Sequence, residues 1–280
     1  MELWQLRRRP LSAFLRLCVM LAAAAAMLVF LILVGYILVK GIPNIETGLF
    51  EWEYNSQNVS LVPALINTVL ITVLSLFIAS PLGIFAAIYM NEYAKKENRL
   101  ISTVRIAAET LAGIPSIVYG LFGMLLFVVA LKWGYSLIAG AFTMAVMILP
   151  IIMRTTEEAL KSIPDSYREG SFGLGAGRLR TVFAIVLPPA APGILAGIIL
   201  AIGRVVGETA ALIFTAGTVA RTPAALTSSV RTLSVHMYSL SSEGLHIKQA
   251  YATAVVLLVL VITINSISGA LAGRIAGGRG

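Results

Sequence analysis

Five stretches of this chain contain no Asp, Glu, Lys or Arg: 17–39, 61–90, 110–131, 133–153 and 249–273. Each exceeds the roughly 20 apolar residues that an α-helix needs to cross a bilayer at about 1.5 Å per residue. Hydrocarbon offers no hydrogen bonds to the backbone, so stretches of this kind can only be helical there. A sixth, 190–219, is interrupted only by Arg204 and Glu208. The chain therefore reads as an all-α integral membrane protein, a single transmembrane domain over residues 1–280. Its spans are expected near 13–39, 61–90, 106–131, 134–154, 190–219 and 249–273. Composition agrees: 12% of residues are charged and 58% hydrophobic, against roughly 25% charged in soluble domains.

The formal net charge is +8, but its distribution points to membrane orientation and not to nucleic acid. With a cytoplasmic N-terminus, fifteen Lys and Arg fall on inside segments and five on outside ones. That bias is the positive-inside rule and predicts both termini in the cytoplasm of a cell whose inner membrane holds the protein. The apolar stretch after Arg7–Arg9 is longer than the core of a secretory signal, so it reads as an uncleaved first helix. Cys18, the single cysteine, excludes an intrachain disulfide. The segment 101–109 is only moderately polar, so the third helix is expected to begin early and run along the membrane surface before Gly113 and Pro115. Residues 221–248 read as a polar outside loop carrying His236 and His246 as solvated residues, and no metal ligand set is expected.

Several chemistries are absent from the sequence. There is no G-x-x-x-x-G-K-[ST] nucleotide loop, no H-E-x-x-H and no G-x-S-x-G. An enzyme is not expected, and energy for transport must come from a partner or an ion gradient. An ion-driven secondary transporter would need more helices, with paired discontinuous ones.

The longest cytoplasmic stretch, 155–188, suggests the partner. Pro164 and Asp165 suit a helix start, and Gly173, Gly175 and Gly177 a sharp turn. Arg178–Val186 suits a second short helix ending at Pro188. Within it Glu169-Gly170-Ser171, Gly175 and Ile185-Val186-Leu187-Pro188 resemble the E-A-A, G, I-x-L-P pattern of ABC importer permeases, with nine residues between the glycine and the isoleucine. The resemblance implies a type I importer permease of MetI-like architecture, with Glu169, Gly175, Ile185, Leu187 and Pro188 coupling to an ATPase. Residues 111–120, 154–158, 203–210 and 250–254 sharpen it to the A-type permease of phosphate importers (PstA-like). That family implies a second, PstC-like permease, two PstB-like ATPases that bind ATP and Mg, and a PstS-like phosphate-binding protein outside. A permease for molybdate, sulfate, an amino acid or a sugar is the alternative.

The fifth span carries a candidate route. Gly197, Ala201, Arg204, Glu208, Ala211 and Thr215 recur at three- and four-residue steps and predict one small, polar face. Leu195, Ile198, Ile199, Ile202, Val205, Val206 and Ile213 predict an apolar back. Gly193/Gly197 and Gly203/Gly207 read as helix-packing pairs. An arginine at mid-membrane costs at least about 2.5–3.5 kcal/mol, so it should face protein or water and have a partner. Glu208, four residues on, is the expected partner. Together they form the expected anion-handling site, with Thr215 beside it. Arg154, followed by Thr155 and Thr156, reads either as a snorkelling inside arginine or, by the resemblance, as a second cationic station.

Overall fold

The computed structural model describes residues 10–95 and 99–277. Arg7–Arg9, Lys96 and Arg279 of the inside charge set lie outside the described residues. The helices, in chain order, are α1 (Pro10–Gly41), α2 (Val62–Tyr93), α3 (Arg99–Ala112), α4 (Ser116–Ala130) and α5 (Leu137–Lys161). They continue with α6 (Asp165–Gly173), α7 (Arg178–Val206), α8 (Ala210–Ile213), α9 (Leu233–Glu243) and α10 (Ile247–Gly277). No strand occurs among the described residues. Among the described residues, five helices are long and apolar enough to cross a membrane, and α3 with α4 form a bent sixth candidate.

α5 is the centre of the bundle. It packs along α2 and α7, with α4 and α8 against its N-terminal half. Ile148, Ile152 and Met144 of α5 are fully buried with Ile71 of α2 and Leu212 of α8. α1 has the opposite character. Its surface is exposed almost throughout, and it packs chiefly on α10. An apolar helix covered on one side only is what lipid contact permits, because lipid solvates leucine as well as a protein core does.

Three departures from the sequence expectations matter for the site. The third span does not begin at residue 106. α3 is a separate amphipathic helix, bent 105° from α4 at 113–115. Proline fixes its own φ and disfavours helical geometry before it, so the chain turns at Ile114-Pro115. Secondly, the expected short helix 178–186 does not stop at Pro188. It continues as α7 to Val206, and the turns over 181–186 are wider, of the π type. Wide turns of this kind absorb a proline's missing N–H and ring clash without ending the helix.

Thirdly, the fifth span does not reach residue 219 as one helix. α7 stops at Gly207, and the chain folds back through α8 and an irregular segment. The freed backbone groups are satisfied inside the protein. Ser136 N–H donates to the Thr215 carbonyl (3.0 Å), Val230 N–H to Ala216 (3.0 Å) and Leu137 N–H to Ser228 (2.9 Å). Asn67 Nδ2 of α2 donates to the carbonyls of Arg221 and Arg231 (2.9 and 3.1 Å). Residues 221–248 are thus not a solvated loop. α9 forms within them and buries Leu233, Val235, His236 and Leu240.

Candidate functional site

Two regions collect the residues singled out by sequence: the break in the fifth span and the elbow between α6 and α7.

At the break, glycines set the depth. A Cβ on Gly193 would lie 2.7 Å from Ala159 Cβ, and one on Gly197 would strike the Thr155 side chain. This glycine pair therefore seats α7 directly on α5. Extrapolated along that antiparallel register, position 204 falls level with about position 148, near the middle of α5 and roughly 10 Å beyond Gly197. A Cβ on Gly203 would have nothing within 4 Å, so the second glycine pair packs against no other helix among the described residues.

Arg204 and Glu208 do not pair as expected. The helix ends between them, so they no longer share a face one turn apart, and no carboxylate of the described residues makes an ion pair with Arg204. Each instead serves a helix end. Arg204 lies in the last turn of α7, where the helix dipole favours a cation. The Ala211 N–H of α8 donates to Glu208 Oε1 (3.1 Å), which places a carboxylate at that helix's positive end. The Glu208 carbonyl accepts from the Ser234 hydroxyl (2.6 Å), which ties the break to α9. Glu208 is 6% exposed, whereas Arg204 is exposed.

The expected small-polar face also divides. Gly197, Ala201, Ala211 and Thr215 are buried in helix packing. The Thr215 hydroxyl donates to the Ala211 carbonyl (2.8 Å), and its methyl packs where a Cβ on Gly123 would fall. Thr215 therefore does not line an open route. The exposed strip of α7 is one step round, at Gly193, Ala196, Leu200, Arg204 and Gly207. Sequence spacing found the residues but not the rotation of the helix, because small residues serve close packing as readily as they line a path.

Arg154 is exposed and paired with Glu158 one turn on (3.0 Å). It borders a cleft of about 150 Å³ where Arg105, Arg154 and Lys161 meet Glu109, Glu157 and Glu158. Three carboxylates balance three cations there.

The elbow is built as its glycines demanded. α6 starts at Asp165 after Pro164 and ends in a turn where Gly175 N–H donates to the Phe172 carbonyl (2.9 Å) and Ala176 N–H to Ser171 (3.1 Å). Gly175 has φ +81° with no heavy atom near its absent Cβ, so the requirement for glycine is conformational and not steric. Neither Gly173 nor Gly177 adopts positive φ. Tyr167, Gly170, Leu174, Gly175, Arg180 and Ile185 line a cleft of about 580 Å³. Leu174 is 91% exposed at its lip. Glu169 is exposed on α6, away from this cleft. Leu187 and Pro188 are half-buried inside α7, and Leu187 packs on the cluster of Ile88, Leu160 and Val186. They hold the elbow's stem and lie outside its contact surface.

His236 is buried in α9, with its ring edge-on to Tyr54 at 6.0 Å. Burial, and secondarily the Arg231 charge, pull its pKa down to about 3. No cluster of three or more His, Cys, Asp or Glu suited to a metal exists among the described residues.

A central bundle of membrane-length helices with one broken helix, an exposed arginine at the break and a structured elbow between α6 and α7 define the protein's class: a multi-pass membrane protein. A family model described as "Binding-protein-dependent transport system inner membrane component" matches residues 79–277. The chain belongs to that family and is the permease component of an ABC importer. It is 34% identical over 269 residues to the probable ABC transporter permease protein YqgI of Bacillus subtilis, covering 88% of this chain and 89% of that one. It is 32% identical over 234 residues to the phosphate transport system permease protein PstA of Pasteurella multocida (81% and 83% covered). With the protein of that same name from Yersinia pestis it shares 40% over 179 residues (63% and 60% covered). A chain of the bacterial alginate ABC transporter superposes with a TM-score of 0.70 at 17% identity, covering 99% of each chain. One from the MetNI methionine ABC transporter gives 0.64 at 20% identity, covering 77% of this chain and 95% of that one. Those two likenesses are of fold.

Proposed function

We propose that the substrate is inorganic phosphate, passed between this chain and a second permease along the exposed strip of α7. The observation that carries this reading is Arg204: a guanidinium at mid-depth, exposed on the subunit's surface and unpaired among the described residues. Such a group requires protein or water beside it, which a second permease enclosing a polar route supplies. A free guanidinium fork matches the oxygens of a phosphate, with two parallel charge-assisted hydrogen bonds. Relatives named as phosphate transport permeases support the substrate class. Glu208, fixed by the Ala211 amide, is the group that accepts a hydrogen bond from a protonated phosphate, which fully ionised sulfate cannot offer. Arg154 stands at the cytoplasmic end of the route as a second cationic station, held by Glu158 until an anion displaces it.

ATP and Mg belong to two ATPase subunits that dock on the elbow at Glu169, Gly175 and Ile185, and a phosphate-binding protein delivers substrate outside. Both termini are cytoplasmic. The test is phosphate uptake by the reconstituted complex carrying Arg204→Gln. Uptake is expected to fall about tenfold or more while assembly is retained, since one charged donor to substrate is lost. Wild-type uptake by an assembled Arg204→Gln complex overturns the assignment.

A further inference from the structure

The elbow's first helix is fastened to the bundle at two points. One is local: α6 packs against residues 181–186 of α7, and the Ser171 and Thr181 hydroxyls meet across the elbow at 2.9 Å. The other reaches a different span. Arg168, in the middle of α6, grips Glu92 at the cytoplasmic end of α2. Nη2 donates to Oε1 at 2.7 Å, and Nε donates to Oε1 and Oε2 at 3.2 and 3.1 Å. The remaining donors are used as well. Nη2 donates to the Leu160 carbonyl (3.0 Å), and Nη1 to the Ile163 carbonyl (2.9 Å) and Asp165 Oδ1 (3.1 Å). The two side chains are 15% and 7% exposed, unlike the solvated Arg154–Glu158 pair at 65% and 63%. Glu92 Oε1 also accepts from Asn91 Nδ2 (2.7 Å), which fixes the carboxylate from the α2 side.

Both the place and the residue type bear on function. Arg168 bonds at once to the end of α2, to the Leu160 carbonyl in the last turn of α5, to the Ile163 carbonyl just beyond it and to its own helix. Among the described residues it is the only side chain of α6 that hydrogen-bonds to α2. A planar guanidinium can hold three directions together, whereas a lysine is a single point donor. Movement of α6 reaches α7 through the chain and the Ser171 contact. It reaches α2 through Arg168.

We infer that Arg168 and Glu92 form the transmission clamp that makes α2 move with the elbow, so that ATP-driven displacement of α6 opens and closes the bundle and not α7 alone. Arg168 is a positioning residue: it touches neither substrate nor nucleotide. The inference rests on the proposed docking of an ATPase at the elbow.

The test uses the full complex in lipid nanodiscs, with Cys18→Ala and the pair Glu92→Cys and Arg168→Cys. Basal ATP hydrolysis, hydrolysis stimulated by the loaded binding protein, and uptake in proteoliposomes are measured before and after a short bis-thiol reagent joins the two cysteines. Expected is an assembled complex with basal hydrolysis within about twofold of wild type, while stimulated hydrolysis and uptake fall about tenfold. Both should return on bridging, because the mechanical link is restored without the charges. Full coupling in the unbridged complex overturns the clamp. So does a loss that bridging leaves unrestored, which marks a purely structural role. Absence of binding-protein stimulation in the Cys18→Ala parent fails the importer coupling itself, an outcome distinct from failure of the clamp.

Discussion

Arg204 and Glu208, expected to pair one turn apart, take a different geometry in the structure. The four-residue spacing presumed that the helix continues, and it ends between them at Gly207. With helix dipoles serving each side chain separately, Arg204 is left free to meet a ligand, and that freedom underlies the expected loss of uptake in Arg204→Gln. His236 shows the reverse. In sequence it looked like a solvated loop histidine, yet it is buried, with its pKa pulled to about 3 by burial and then by Arg231. The unfolded chain protonates this imidazole near pH 6.5, and the folded one does not until about pH 3. Between those values the unfolded state binds more protons, so stability falls as pH drops through the window. At pH 5.5 the loss from this group is about 1.3 kcal/mol relative to pH 7. His236→Phe should flatten the decline in thermal midpoint between pH 6.5 and pH 5. An unchanged pH profile in that variant removes His236 as the cause.

At the scale of elements, the elbow depends on one dihedral. Gly175 sits at φ +81° with open space around it, so a side chain there meets backbone strain and no clash. Gly175→Val should cost about 1–2 kcal/mol locally. The elbow would be re-aimed while the spans still insert. The variant is expected at normal membrane levels, with reduced retention of the ATPase on affinity purification and reduced uptake. Gly175→Asn, which tolerates positive φ better, should retain more of both. Equal retention of ATPase by wild type and Gly175→Val counts against the elbow as the docking point. The neighbouring helix α7 explains why the I-x-L-P residues separate. Ile185 faces the cleft, whereas Leu187 and Pro188 lie within a continuous helix whose wide turns accommodate the proline.

Across the whole molecule, orientation is the property most directly open to measurement. The charge bias predicts that the elbow and both chain ends lie inside and the 42–60 segment outside. In a Cys18→Ala background, Ser166→Cys on exposed α6 should resist a membrane-impermeant maleimide in intact cells and label after permeabilisation. Ser56→Cys should label in both. The opposite pattern inverts the topology and with it the direction of the proposed route.

The sequence alone determined that the chain is helical, membrane-embedded and multi-pass. Charge-free runs longer than a bilayer leave the backbone no other means of satisfying its hydrogen bonds. It also located the elbow and its obligatory glycine, since turn chemistry is local, and it marked Arg204 as costly enough to need a reason. What the tertiary structure decided was non-local: the rotation of α7, the break at Gly207, the burial of His236 and Thr215, and the grip of Arg168 on Glu92. Each depends on which surfaces of distant segments meet. The amides of Ser136, Leu137 and Val230 and the side chain of Asn67 bond to backbone carbonyls of the folded-back segment. A helix can end at mid-depth only where such partners stand ready, and no periodicity within the helix itself records them.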